Sequence, residues 1–249
     1  MSKELENKIV GTDLCKLATL LYDYSICGNT SPLNNAGQSC ISTATDKLWR
    51  YTLEKLVFNV DPVGGRIPSD SEDITVSLSI KIEGVKLESE QIENPLNNLF
   101  FDMEIEGSRS NEHSQDIDSL YACWHLDKHI NTSADGKTKY LHPLYHLAFG
   151  GSKMEARGNV FGNSLILPSP RFCYPPMDAV LGINFIIRNY LHKDKIEKIT
   201  ADPEYYQILK RSQERLWRPF FSSLYSYWNI GEFVVTPDFV PEKLFPLYC

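Results

Sequence analysis

The chain has 249 residues, enough to bury a substantial hydrophobic core as one large domain or two small ones. Its formal charge of −7, with 23% charged and 42% apolar residues, is ordinary for an acidic soluble globular protein. That balance disfavours nucleic acids and anionic membranes, which require a basic surface, and leaves Lys210, Arg211, Arg215 and Arg218 as the candidates for a local basic patch; no apolar run approaches the roughly 18 residues of a membrane helix. Six cysteines (Cys15, Cys27, Cys40, Cys123, Cys173 and Cys249) are scattered without a C-x-x-C pair. The charged N-terminus lacks the apolar centre of a signal peptide. Together these predict reduced thiols in a cytoplasmic protein.

Leu14, Leu17, Ala18 and Leu21 have helical spacing, which predicts a helix over 13–26 capped by Thr12. Residues 28–39, rich in Asn, Ser and Gly, read as a loop or linker. Residues 1–44 are therefore expected to be a helix-and-linker appendage, with 45–249 forming a single α+β domain. Residues 45–60 fit two templates. Leu48, Trp49, Thr52, Leu53 and Leu56 suit a helix, whereas Leu56 to Val60 suits a strand, so a short helix running into a strand is expected. Asp61-Pro62-Val63-Gly64-Gly65 breaks the pattern, and 66–73 reads as a polar loop.

Two strands with clean alternation follow. Ile74, Val76, Leu78, Ile80 and Ile82 share one face, and Leu99, Phe101, Met103 and Ile105 share another. Phe100, Asp102, Glu104 and Glu106 fall on the wet side of the second strand.

The segment 119–150 reads as a β-hairpin around a polar stretch containing Asp135-Gly136. The register that sorts its residues best places His129 opposite His142, His125 opposite His146, and Asp127 opposite Leu144. Ala122/Phe149, Trp124/Leu147 and Leu126/Tyr145 then fill the other face, which only Lys128 interrupts. Sequential strands usually neighbour each other, so an antiparallel β-meander of about four or five strands is predicted, with C-terminal helices packed on one face.

The glycine-rich stretch from Gly150 to Gly162, which contains Lys153 and Arg157, reads as a flexible loop, and Ser164 to Leu167 as a short strand. Pro168, Pro170, Pro175 and Pro176 mark a stiff extended segment. A helix is predicted over 178–191, apolar nearly all round and hence deeply buried, with Asp178 in its first turn. A second is predicted over 203–217, which Pro219 should end or kink. Phe220 to Trp228 reads as an aromatic-rich helix or turn, and the proline-containing tail as extended and packed on the body.

The candidate site is the histidine face. Opposed residues on a hairpin have Cβ atoms about 4.5–5.5 Å apart, close enough for both rings to reach one ion. Residues four apart on a strand are separated by about 13 Å, so one ion cannot take all four histidines. Two ligand sets follow: His129, His142 and Asp127, or His125, His146 and Asp127, the second within reach of Cys123. Either is a two-histidine, one-carboxylate arrangement with open positions, which suits one divalent ion of zinc, iron or manganese. The competing reading is a face whose histidines hydrogen-bond one another and the backbone. No phosphate loop, dinucleotide fingerprint or nucleophile elbow is present, so no nucleotide cofactor is expected. Cys173 reads as a buried thiol, and Arg171 and Asp178 as loop-fixing and capping groups.

The order of meander, proline segment and helices resembles ubiquitin-conjugating-enzyme-like and RWD-type modules. No residue matches the conjugating cysteine, so that resemblance implies a noncatalytic interaction role. Two functions are therefore expected: a metal-dependent hydrolase built on the histidine face, or a protein-interaction module using the C-terminal aromatics Trp217, Phe220, Phe221, Tyr225, Tyr227 and Trp228.

Overall fold

Alternating apolar residues become the buried face of a six-stranded antiparallel sheet. The computed structural model describes residues 5–43, 47–60, 71–87, 90–110, 116–128, 142–150, 152–155, 171–229 and 231–248. Strands β1 (Leu48–Asn59), β2 (Glu72–Val85), β3 (Leu96–Ser110), β4 (Ile117–Lys128), β5 (Tyr145–Phe149) and β6 (Phe172–Cys173) pair in sequence order as a meander. The fold is α+β with helices against the apolar face, as the alternation predicts. The additional strand is β6, which is too short at two residues for any period to mark it. The strand expected at 164–167 lies outside the described residues.

The mixed pattern in β1 has a local cause. Tyr51, Leu53, Leu56 and Phe58 are all buried, although Leu53 and Leu56 have opposite parity. A bulge between them, with Lys55 at φ +37, inserts one residue and returns both leucines to the same side. The spacing that imitates a helix in the sequence is a strand with an extra residue.

Helix α1 (Glu6–Asp23) begins earlier than expected, because Asn7, Val10 and Gly11 also face inward. The expected linker contains a helix, α2 (Ser31–Ile41), whose Leu33, Ala36, Gly37 and Cys40 are buried. Its glycine is a contact point rather than a break. A Cβ on Gly11 would lie 2.5 Å from the Gly37 carbonyl oxygen, so the two helices touch backbone to backbone.

The remaining helices are α3 (Ser152–Glu155), α4 (Ala179–Tyr190), α5 (Lys193–Thr200), α6 (Pro203–Ser226) and α7 (Pro241–Leu244). Asp178 caps α4 by accepting from Leu181 N at 3.0 Å. Asp202 caps α6, accepting from Glu204 N at 2.8 Å and Tyr205 N at 3.1 Å, and it also accepts from the Tyr24 hydroxyl at the end of α1. Pro219 neither ends α6 nor separates it from the aromatic stretch. An interior proline costs about 3 kcal/mol. Leu216 and Phe220, fully buried beside it, each contribute about 1.5–3 kcal/mol and hold the helix continuous. Helices α1, α2, α4 and α6 share one apolar core with β1–β5. None of the described helices is long and apolar enough to cross a membrane.

Candidate functional site

The outward residues of β3, β4 and β5 make a polar face opposite the helices. The β3–β4 register places Phe100 beside Asp127, Asp102 beside His125, and Glu104 beside Cys123. Between β4 and β5 the observed partners are Asp127↔His146 and His125↔Ala148, two residues away from the expected register. His125 and His146 therefore do not oppose each other, and Leu144 does not oppose Asp127. A slip of two leaves every side chain on its own face, so hydrophobic sorting cannot detect it. The observed register brings Trp124 against Phe149, edge to face at 5.0 Å. Lys128, the one misfit of the inner face, sits at its rim and donates to the carbonyls of Leu96 (2.5 Å) and Asn97 (3.2 Å).

The outer face divides into two clusters. The first centres on Asp102, only 2% exposed. Its carboxylate accepts from His125 Nδ1 and, at 2.8 Å, from Lys153 Nζ on α3. Lys153 also pairs with Glu104 at 2.7 Å, and the Tyr121 hydroxyl donates to Glu104 at 2.7 Å. His125 Nε2 lies 2.5 Å from the Gly150 carbonyl oxygen, to which the Cys123 thiol also donates at 2.8 Å.

These partners fix protonation. Burial alone would raise the Asp102 pKa, but hydrogen bonds from His125 and Lys153 outweigh it and hold the group below the usual carboxylate range. Glu104 is lowered too, its bonds to Lys153 and Tyr121 outweighing burial. Both acceptors around the imidazole are then oxygens without a proton to give, so both ring nitrogens donate and His125 is a cation. The Asp102 hydrogen bond raises its pKa against the opposing effect of burial. Two cations face two anions, so the cluster is neutral and closed. Cys123 lies 3.6 Å from His125 Nε2 and completes a Cys-His-Asp series. The series cannot generate a nucleophile as arranged, because Nε2 is already protonated and burial raises the thiol pKa.

The second cluster lies one rung further. Asp127, His146 and Cys173 are cross-strand neighbours on β4, β5 and β6. The His142 ring is 4.7 Å from that of His146, and Arg171 Nη1 donates to His142 with its nearer nitrogen at 2.8 Å. Burial raises the Asp127 pKa, partly countered by the His125 charge, and pushes the Cys173 thiol up to about 11. Of the expected ligands, the fold thus gathers Asp127, His142 and His146 and commits His125 elsewhere. His129 lies outside the described residues, as does the Asp135-Gly136 turn. No group of three His, Cys, Asp or Glu side chains among the described residues is placed to hold a metal ion.

The residues that sequence reasoning missed are the partners of His125. Asp102 and Glu104 carried a usable signal, because alternation puts both on the wet face of the strand that a meander lays beside β4. Lys153 and Gly150 carried none, since Gly150 lies just past β5 and Lys153 on a four-residue helix too short to show a period. No protein-family model, curated protein or solved structure matches the chain.

Proposed function

We propose that this chain is a noncatalytic protein-interaction module whose partner docks on the aromatic end of α6. The observation that carries the reading is the exposure of Phe221, Tyr225 and Trp228, the last 72% exposed. Phe221 and Tyr225 lie one turn apart on α6, and Trp228 follows in the turn after it. Phe233 extends the surface by packing edge to face on Tyr225 at 5.9 Å, and Tyr248 stacks on Tyr227 at 4.2 Å. Soluble proteins rarely leave such apolar clusters open without a use, and Trp and Tyr dominate binding hot spots. Anchors at helical spacing suit insertion into a groove on the partner. The element order resembling ubiquitin-conjugating-enzyme-like and RWD-type modules supports the same role. The free thiols of Cys15, Cys27, Cys40, Cys123 and Cys173 support a reducing, cytoplasmic location.

The test compares wild type with Trp228→Ala and His142→Ala, using light scattering and quantitative partner profiling from the native source. The expected result is loss of a complex in Trp228→Ala only, with unchanged melting. Identical profiles in all three would sink the proposal. Elemental mass spectrometry weighs it against a metal-dependent hydrolase, the reading that the proximity of His142 and His146 favours. About one equivalent of zinc, iron or manganese, lost in His142→Ala, would replace the interaction reading with the hydrolase.

A further inference from the structure

A cleft of about 730 Å³ opens between α1, α6 and residues 85–87 and 90–92, apart from the histidine face and meeting the proposed docking surface at Phe233. Its volume lies in the range that encloses small ligands, about 300–1,000 Å³. Its floor is fixed by paired guanidinium groups. Arg211 grips Asp13 with two bonds at 2.9 and 2.6 Å. Arg215 bonds Glu6 at 2.8 Å, lies 3.7 Å from Asp178 and covers the Trp49 ring at 5.5 Å. Glu214, on the wall, lies 4.0 Å from Lys210.

With those pairs accounted for, two cations remain. Lys86 and Arg218 line the cleft and form no ion pair among the described residues. Exposed Glu90 is the only lining acid likewise without one. A local excess of positive charge in a chain of net charge −7 attracts an anion. Ile9, Leu87 and Phe233 add an incompletely buried apolar wall.

We propose that this cleft binds a small amphipathic anion, its oxyanion head between Lys86 and Arg218 and its apolar body against Ile9, Leu87 and Phe233. The locked floor leaves Arg218 and Lys86 as the groups that must reach the head. An Arg meets a carboxylate or phosphate with two parallel bonds, while Lys adds a point charge. Both head groups share this chemistry, and competition tells them apart.

The probe is 8-anilinonaphthalene-1-sulfonate, which carries a fixed anionic head on an aromatic body, titrated by fluorescence into the full chain. One saturable site is expected, weakened about tenfold or more in the Lys86→Glu/Arg218→Glu double variant and unchanged in Lys210→Glu, which lies outside the cleft. The uncharged analogue N-phenyl-1-naphthylamine should bind about tenfold more weakly than the sulfonate. Should the double variant fail to fold by circular dichroism, Arg218→Gln alone serves, with the same direction expected. Displacement by decanoate or by decyl phosphate identifies the head group. The proposal is overturned by non-saturable binding, by equal affinity in the cleft variants, by displacement by neither competitor, or by a loss confined to Trp228→Ala.

Discussion

The closed cluster around Asp102 and the open aromatic end of α6 treat their side chains in opposite ways. Around Asp102, two carboxylates, an imidazolium and an ammonium satisfy one another within the fold, and no charge is left over for a substrate. At the end of α6, large aromatic rings pack on one another yet keep much of their surface in solvent. The first arrangement uses its chemistry to hold Gly150 and Lys153 against the sheet. The second leaves apolar area in solvent that the fold does not use. Reactive residue types therefore mislead when their hydrogen-bonding capacity is consumed internally, whereas exposed tryptophan and tyrosine point outward.

The sharpest way to break this contrast is Asp102→Ala. Removing one member of a buried ionic network strands its partners, so a loss of about 3–5 kcal/mol is expected in urea unfolding. A loss below about 1 kcal/mol would show that the cluster is not closed.

Acidity comes next. A His125 pKa raised above the ordinary value of about 6.5 adds stability that is fully present below that pH and disappears as the pH rises through the raised value. The lowered Asp102 value acts in the other direction, adding stability above about pH 4 that is lost as the pH falls through it. The melting difference between wild type and His125→Phe should therefore shrink as the pH is raised from about 6.5. A constant difference up to pH 10 would contradict a charged imidazole.

Lys153→Met should cost only about 1 kcal/mol, because that side chain is 36% exposed and solvent screens its pairs. The smallest effect belongs to Trp228→Ala, expected within about 0.5 kcal/mol of wild type in the same unfolding assay. A large loss there would assign the aromatic end to the core and count against the proposed docking surface.

Much of the sheet was legible because period two is a strong signal where one face is buried. β2 and β3 emerge from Ile74–Ile82 and Leu99–Ile105, and β4 from its alternation around Leu126. Three features were not legible, each for a physical reason. The β4–β5 register escaped because a two-residue slip conserves both faces. Helix α2 escaped because a glycine needed for contact with Gly11 looks in sequence like one needed for a turn. The identity of the His125 partners escaped because hydrogen bonds across strands and to a carbonyl just past β5 leave no periodic trace. The acidic pair Asp102 and Glu104 was visible as a wet face, but the burial of Asp102 beside Lys153 was not.

The extra residue in β1 has one more consequence. β1 is an outer strand of the sheet, and a long regular edge would offer its amides and carbonyls to any other extended chain. The bulge at Lys55 interrupts that row, and exposed Arg50, Glu54 and Lys55 place charge along it. The Cys27 thiol caps the Val57 carbonyl at 3.2 Å. Deleting Lys55 would remove the extra residue and straighten the edge while leaving Leu53 and Leu56 on the buried face, giving the chain a self-templating border and exposing it to aggregation that the native edge resists.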